Sequence, residues 1–61
     1  MKNYNVVFIV KETGDRYNFT MSSQHSYEIA PDVFHTEVRN RMKSKELGNY
    51  SFEIISCNQE R

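Results

Sequence analysis

Besides its carboxylates, this 61-residue sequence offers three possible metal ligands, His25, His35 and Cys57. Protein zinc sites combine such ligands at short characteristic spacings, and no pair here has one. Nucleophilic catalysis needs a nucleophile, a base and an orienting group held together in a pocket, which the mere presence of Ser, His and Asp does not specify. Loops that bind phosphate need several glycines, whereas this chain has only Gly14 and Gly48. We therefore expect no metal, no cofactor and no enzymatic activity.

A basic run at residues 39–45, "RNRMKSK", is the other candidate for chemistry, as a nucleic-acid-binding patch. Its cations occupy alternate positions, so on a helix they fan around the axis instead of forming one stripe. Cations are also favoured near a helix C-terminus by the helix dipole. A solvated helix surface is the favoured interpretation, and an RNA-binding module that uses this helix C-terminus is the alternative. In that alternative, Tyr4 and Tyr17 are candidates to stack on bases.

The overall charge weighs against nucleic acid as the partner. Lys and Arg number eight, Asp and Glu number eight, and the formal net charge is zero, whereas a nucleic-acid-binding protein usually has a basic excess. Cys57 is the only cysteine, so an intramolecular disulfide is impossible. No apolar run reaches membrane-spanning length, and the first residues do not resemble a secretion signal. We expect one cytoplasmic domain over residues 1–61, without membrane contact.

Periodicity predicts three strands and one helix that would position these side chains. Strands are predicted at residues 4–10, 17–21 and 50–57, because these stretches are rich in β-branched and aromatic residues or alternate apolar with polar ones. Gly14 suits a hairpin loop between the first two. A helix is predicted through residues 33–47, with Pro31 in its first turn, an earlier turn opened by Ser26, and a stop at Gly48 and Asn49. Its apolar stripe consists of Phe34, Val38 and Met42.

The order of these elements predicts an α+β fold of ββαβ topology. The second and third strands run in the same direction through a right-handed helical crossover, so the first strand fills the place between them, antiparallel to both. The sheet order is then 2-1-3, with one helix packed on one face. In the third strand, alternation places Tyr50, Phe52 and Ile54 on one face and Ile55 and Cys57 on the other. Which of these faces looks inward stays open, because both offer apolar side chains.

The central strand carries apolar side chains on both of its faces. In "VVFIV", residues 6–10, the side chains of Val6, Phe8 and Val10 can pack under the helix, while Val7 and Ile9 point the other way. An apolar strip rimmed by polar groups marks an interaction surface in many small proteins. Two alternatives remain: a tolerated apolar strip in solvent, or a homodimer through the open sheet face.

Three stretches of the sequence carry a resemblance to a known family. They are "NVVF" at residues 5–8, "TEVRNRM" at residues 36–42 in the predicted helix, and Cys57 at the end of the last predicted strand. In these stretches and in its strand–strand–helix–strand order, the chain resembles the Dmd (discriminator of mRNA degradation) family of T-even-type phages. That family has a stretch similar to "NVVF" at the same distance from the start, and its helix falls at the position of "TEVRNRM".

This resemblance implies an antitoxin that acts in the host-cell cytoplasm. Members of the family bind the host RNase toxins RnlA and LsoA and block their cleavage of phage mRNA. The toxin would then cover the second face of the sheet, and acidic side chains would imitate phosphates. From exposure on that face and on the helix, we expect the following partner-binding residues: Val7, Ile9, Glu28, Asp32, Glu37, Glu53 and Ile55.

Overall fold

Three strands and one helix follow one another in the computed structural model, which describes residues 1–60. The elements are β1 (Lys2–Val10), β2 (Arg16–Ser23), α1 (Pro31–Ser44) and β3 (Phe52–Glu60). β1 and β2 extend beyond the predicted residues 4–10 and 17–21, because polar residues at their ends continue the backbone pairing. The third strand was predicted at 50–57, but β3 begins two residues later, at Phe52, and extends to Glu60.

The strands form one sheet in the order β2-β1-β3, and β1 is antiparallel to both neighbours. This confirms the predicted α+β fold with ββαβ topology and a central first strand. The turn between β1 and β2 places Gly14 at a φ of 76°, a conformation that glycine adopts without steric cost. The Gly14 N–H donates to the carbonyl of Val10 over 2.7 Å and closes this turn.

One face of the sheet packs against α1 and forms the core. Alternate residues of β1 point toward the helix and are buried, and every fourth residue of the helix meets them. Phe34 is fully buried, with the ring of Tyr4 edge-on at a centroid distance of 5.3 Å. Burying one such side chain is worth about 1.5–3 kcal/mol. The buried apolar residues are Tyr4, Val6, Phe8, Val10, Met21, Phe34, Val38 and Met42.

A bulge in β3 settles which of its side chains face the core. Val7 pairs with Ser56 but Phe8 pairs with Ile54, so Ile55 is an extra residue without a partner on β1. A bulge of this kind shifts the alternation of side chains by one position. Cys57 therefore pairs with Val6 and packs against the core on the same side as Ile54. The prediction that Cys57 and Ile54 lie on opposite faces was wrong for this reason.

The helix begins at Pro31 as expected, but it ends three residues earlier than predicted. The Ser26 carbonyl accepts from the N–H groups of Ile29 and Ala30 at 3.1 and 2.9 Å, which confirms a turn before the helix. At the other end, Glu46 adopts a φ of 63°. The Leu47 N–H donates to the Met42 carbonyl over 2.7 Å, the bond of a Schellman cap. The left-handed residue that ends the helix is therefore Glu46, whereas the sequence predicted the stop at Gly48 and Asn49.

Candidate partner-binding surface

The sheet face opposite α1 carries no covering element within residues 1–60, and we call it the open face. Its side chains belong to strand positions that alternate with the core positions, and the register arranges them in four rows of three across β2, β1 and β3. The rows are Ser22-Asn3-Glu60, Thr20-Asn5-Asn58, Asn18-Val7-Ser56 and Arg16-Ile9-Glu53.

Two apolar side chains lie on the central strand of the open face, in the two rows nearest the β1–β2 turn. Val7 and Ile9 are half-buried by their cross-strand neighbours. Around them the face is dominated by amides and hydroxyls, some of which bond to one another: the Ser22 hydroxyl donates to Asn3 Oδ1 over 2.7 Å. The open face is therefore a mainly polar surface with an apolar pair on its central strand.

The predicted partner-binding residues divide between two sides of the molecule. Val7, Ile9 and Glu53 lie together on the open face, with Glu53 directly opposite Ile9 in the register. Ile55 is the bulge residue of the edge strand β3 and is 48% exposed. The other three predicted residues, Glu28, Asp32 and Glu37, lie in the connection before α1 or on α1 itself, which covers the opposite face.

Aromatic side chains are absent from the open-face positions of the three strands. Tyr4 is buried at 4% exposure. Tyr17 is half-buried and stacks on Phe8 with the ring centroids 5.6 Å apart. Tyr4 is therefore too buried to stack on bases, so that part of the RNA-binding alternative was wrong, and Tyr17 is partly accessible on the helix-covered side.

The basic residues of α1 fan around the helix, as their alternate spacing predicts, and three of them lie over aromatic rings. The guanidinium carbons of Arg39 and Arg41 are 5.0 and 5.1 Å from the rings of Phe52 and Phe19, on opposite edge strands. A third contact of this kind joins Lys45 and Tyr17 at 5.0 Å. Each exposed contact of this type stabilises by about 0.5–1 kcal/mol. These cations hold the two sides of the helix against the sheet.

Arg39 makes the most contacts of the four cations. Its guanidinium also donates to the carbonyl oxygens of Gly48 and Tyr50 at 3.2 and 2.9 Å. It therefore connects the helix to the segment that leads into β3. Arg39 therefore has a structural role, because it satisfies backbone carbonyls. From the sequence alone it is only one member of a basic run.

A pair of polar aromatics, Tyr27 and His35, was not anticipated from the sequence. The Tyr27 hydroxyl and His35 Nε2 are 2.7 Å apart and hydrogen-bonded, and the two rings stack with centroids 5.7 Å apart. His35 also packs beside the ring of Phe52. The contact joins the loop before α1 to the helix, so no periodic pattern in the sequence indicates it.

Groups of three or more metal-ligating side chains are not found in residues 1–60.

The fold alters the acidity of Cys57. Partial burial against the core raises the pKa of the Cys57 thiol, because the thiolate would lose solvation there. The thiol form is therefore favoured at neutral pH. No concave pocket is found among residues 1–60.

Comparisons of the chain with protein-family models, with curated proteins and with solved structures found no match. Within residues 1–60, α1 is too short and too polar to cross a membrane.

Proposed function

We propose that this protein is a non-enzymatic antitoxin that binds a host endoribonuclease of the RnlA or LsoA type and prevents it from degrading phage mRNA. The observation that carries the proposal is the apolar pair Val7 and Ile9 on the central strand of the open face, on a side of the sheet that nothing in residues 1–60 covers. The resemblance to the Dmd family supplies the class of partner.

The open face supports inhibition by steric occlusion. Its charged side chains are Arg16, Glu53 and Glu60, and the Glu60 carboxylate reaches across the face to accept a hydrogen bond from the Thr20 hydroxyl at 3.4 Å. With two acidic groups and one basic group among amides and hydroxyls, the face suits a protein surface better than a phosphate backbone. Glu53 beside Ile9 is the acidic group best placed to meet a cationic residue of an RNA-binding groove. The zero net charge of the chain also favours this hypothesis over the RNA-binding alternative.

The test is a titration of the purified chain into a purified toxin of this type, with RNA cleavage as the readout. Wild type is expected to abolish cleavage at a stoichiometric ratio. Val7→Glu is expected to lose inhibition, because it buries an unpaired carboxylate at the centre of the contact. Thr36→Glu is the matched control, since it adds the same charge at an exposed position of α1.

Circular dichroism of both variants separates binding from folding. A folded Val7→Glu variant that inhibits as well as wild type would show that the open face is not the contact. Absence of inhibition by the wild-type chain, together with salt-sensitive binding to RNA, would replace the antitoxin proposal with the RNA-binding alternative.

A further inference from the structure

The two edge strands of the sheet differ in how they are protected against pairing with another strand. Proteins shield exposed edges with bulges, charges or proline. The edge strand β3 has the bulge at Ile55 and two carboxylates, Glu53 and Glu60. The register of β2 on β1 runs without a shift, and its sequence "RYNFTMSS" contains no proline and a single charge, Arg16. β2 is therefore the edge that is open to pairing.

Arg41 and Glu37 of α1 have opposite charges, and both lie on the side of the helix above the β2 edge. Arg41 lies over Phe19 of β2, and Lys45 lies over Tyr17. Two residues of a strand span about the same length as four residues of a helix. Glu37, one helical turn before Arg41, is therefore level with Met21. The flank of the helix above β2 is thus acidic at the level of Met21 and basic at the level of Phe19.

We propose that two copies of the chain associate through β2, antiparallel, with the two-fold axis at Thr20. This register sets Phe19 of each copy against Met21 of the other on the helix side. On the opposite side it sets Asn18 against Ser22 and Thr20 against Thr20, and a pair of threonines is a favourable neighbour across strands. Above the sheet, Arg41 of each copy is level with Glu37 of the other.

The charges on α1 select this register over its neighbours. An axis at Phe19 would set Arg41 against Arg41, and an axis at Met21 would set Glu37 against Glu37. A slip of one residue would place the two helices on opposite faces of the joint sheet. The zero net charge of the chain imposes no overall repulsion between copies.

The resulting assembly is a six-stranded sheet with both helices on one side. Three strand spacings separate the two helix axes by about 14 Å, a gap that Arg and Glu side chains together can bridge. Both open faces lie on the other side of this sheet and remain uncovered. The association is therefore independent of the proposed toxin contact, and it differs from a dimer through the open face.

The first test is sedimentation equilibrium of the full chain at concentrations up to about 1 mM, a range that includes weak dimers. The wild type is expected to reach twice the 7.3 kDa mass of the chain. Thr20→Lys is expected to raise the dissociation constant about fivefold or more, because it sets two ammonium groups against each other at the axis. Asn58→Lys is the matched control, since Asn58 lies in the same row at the other edge.

A charge exchange tests whether the Glu37–Arg41 contact joins two copies. Glu37→Lys alone and Arg41→Glu alone are each expected to weaken self-association about tenfold, because each variant opposes like charges at two places. An equimolar mixture is expected to recover the wild-type dissociation constant as a heterodimer, in which both pairs are again opposite in sign.

Three results would overturn the proposal. They are a monomeric wild type over the whole range, equal effects of Thr20→Lys and Asn58→Lys, and a mixture of the two charge variants that associates no better than either alone. Circular dichroism of each variant establishes that the comparison is made between folded chains.

Discussion

The two faces of one three-stranded sheet have opposite chemistry, although they alternate residue by residue along the same strands. The face under α1 carries the aromatic rings and the buried aliphatic side chains. The open face carries amides, hydroxyls and two half-buried aliphatics, Val7 and Ile9. This difference assigns stability to the first face and leaves the second available for recognition, so substitutions on the two faces should affect different measurements.

The largest effect is expected from Phe34→Ala on the covered face. Phe34 is fully buried between the rings of Tyr4 and Tyr27, and truncations of this kind cost about 3–5 kcal/mol. A domain of this size has little stability to spare, so the variant is expected to be largely unfolded by circular dichroism. Ile9→Ala is the control on the open face, and urea denaturation should show a loss of only about 1 kcal/mol. Equal losses for the two variants would remove the distinction between the faces.

Arg39→Ala is expected to destabilise the chain by about 1–2 kcal/mol, because it removes two hydrogen bonds to carbonyls and a contact with the ring of Phe52. Lys43→Ala removes a neighbouring cation that lies over no ring, and urea denaturation should detect almost no change. A larger loss for Lys43→Ala would show that the basic run stabilises the fold by charge alone.

Glu46→Gly is expected to stabilise the chain by about 1 kcal/mol, since it relieves a left-handed conformation at a residue with a side chain. Gly14→Ala should have the opposite sign, because Gly14 has a similar conformation. Thermal unfolding measures the change in melting temperature for each variant. Changes of the same sign would contradict the assigned backbone conformations.

The smallest effect concerns Cys57. Burial raises the pKa of its thiol, so the folded state favours the protonated form more than the unfolded state does. The resulting stabilisation is present below the unfolded thiol pKa of about 8.5 and is lost as the pH rises through the folded value. Urea denaturation between neutral and alkaline pH is expected to show a steeper fall for wild type than for Cys57→Ser. The same pH dependence of stability for wild type and Cys57→Ser would contradict a raised thiol pKa in the folded state.

Much of the covered face could be predicted from the sequence, because the period of two in β1 and the period of four in α1 reflect burial directly. The stripe of Phe34, Val38 and Met42 and the central position of β1 follow from these patterns. The orientation of Cys57 could not be predicted, since it depends on a bulge that appears only when β3 pairs with β1. The position of the helix end could not be predicted either. It is set by the left-handed conformation of Glu46, and a glutamate gives no indication of such a conformation in a sequence.

The candidate site was predictable only in part. Val7, Ile9 and Glu53 share the open face because alternation and strand order place them there. Glu28, Asp32 and Glu37 were selected for charge and exposure, and the chain places them on the helix side. Charge and exposure do not indicate on which side of the molecule a residue lies. The sequence therefore could not show that these three acidic residues lie on the side opposite Val7, Ile9 and Glu53.

Amide cross-saturation from an unlabelled RnlA- or LsoA-type toxin to the isotope-labelled chain tests the central claim most directly, because it compares the two sides in one complex. We expect saturation to be strongest on the open face, around Val7, Asn18 and Ser56, and weak along α1 at Asp32 and Thr36. Saturation concentrated on α1, with the open face unaffected, would contradict the proposed toxin contact.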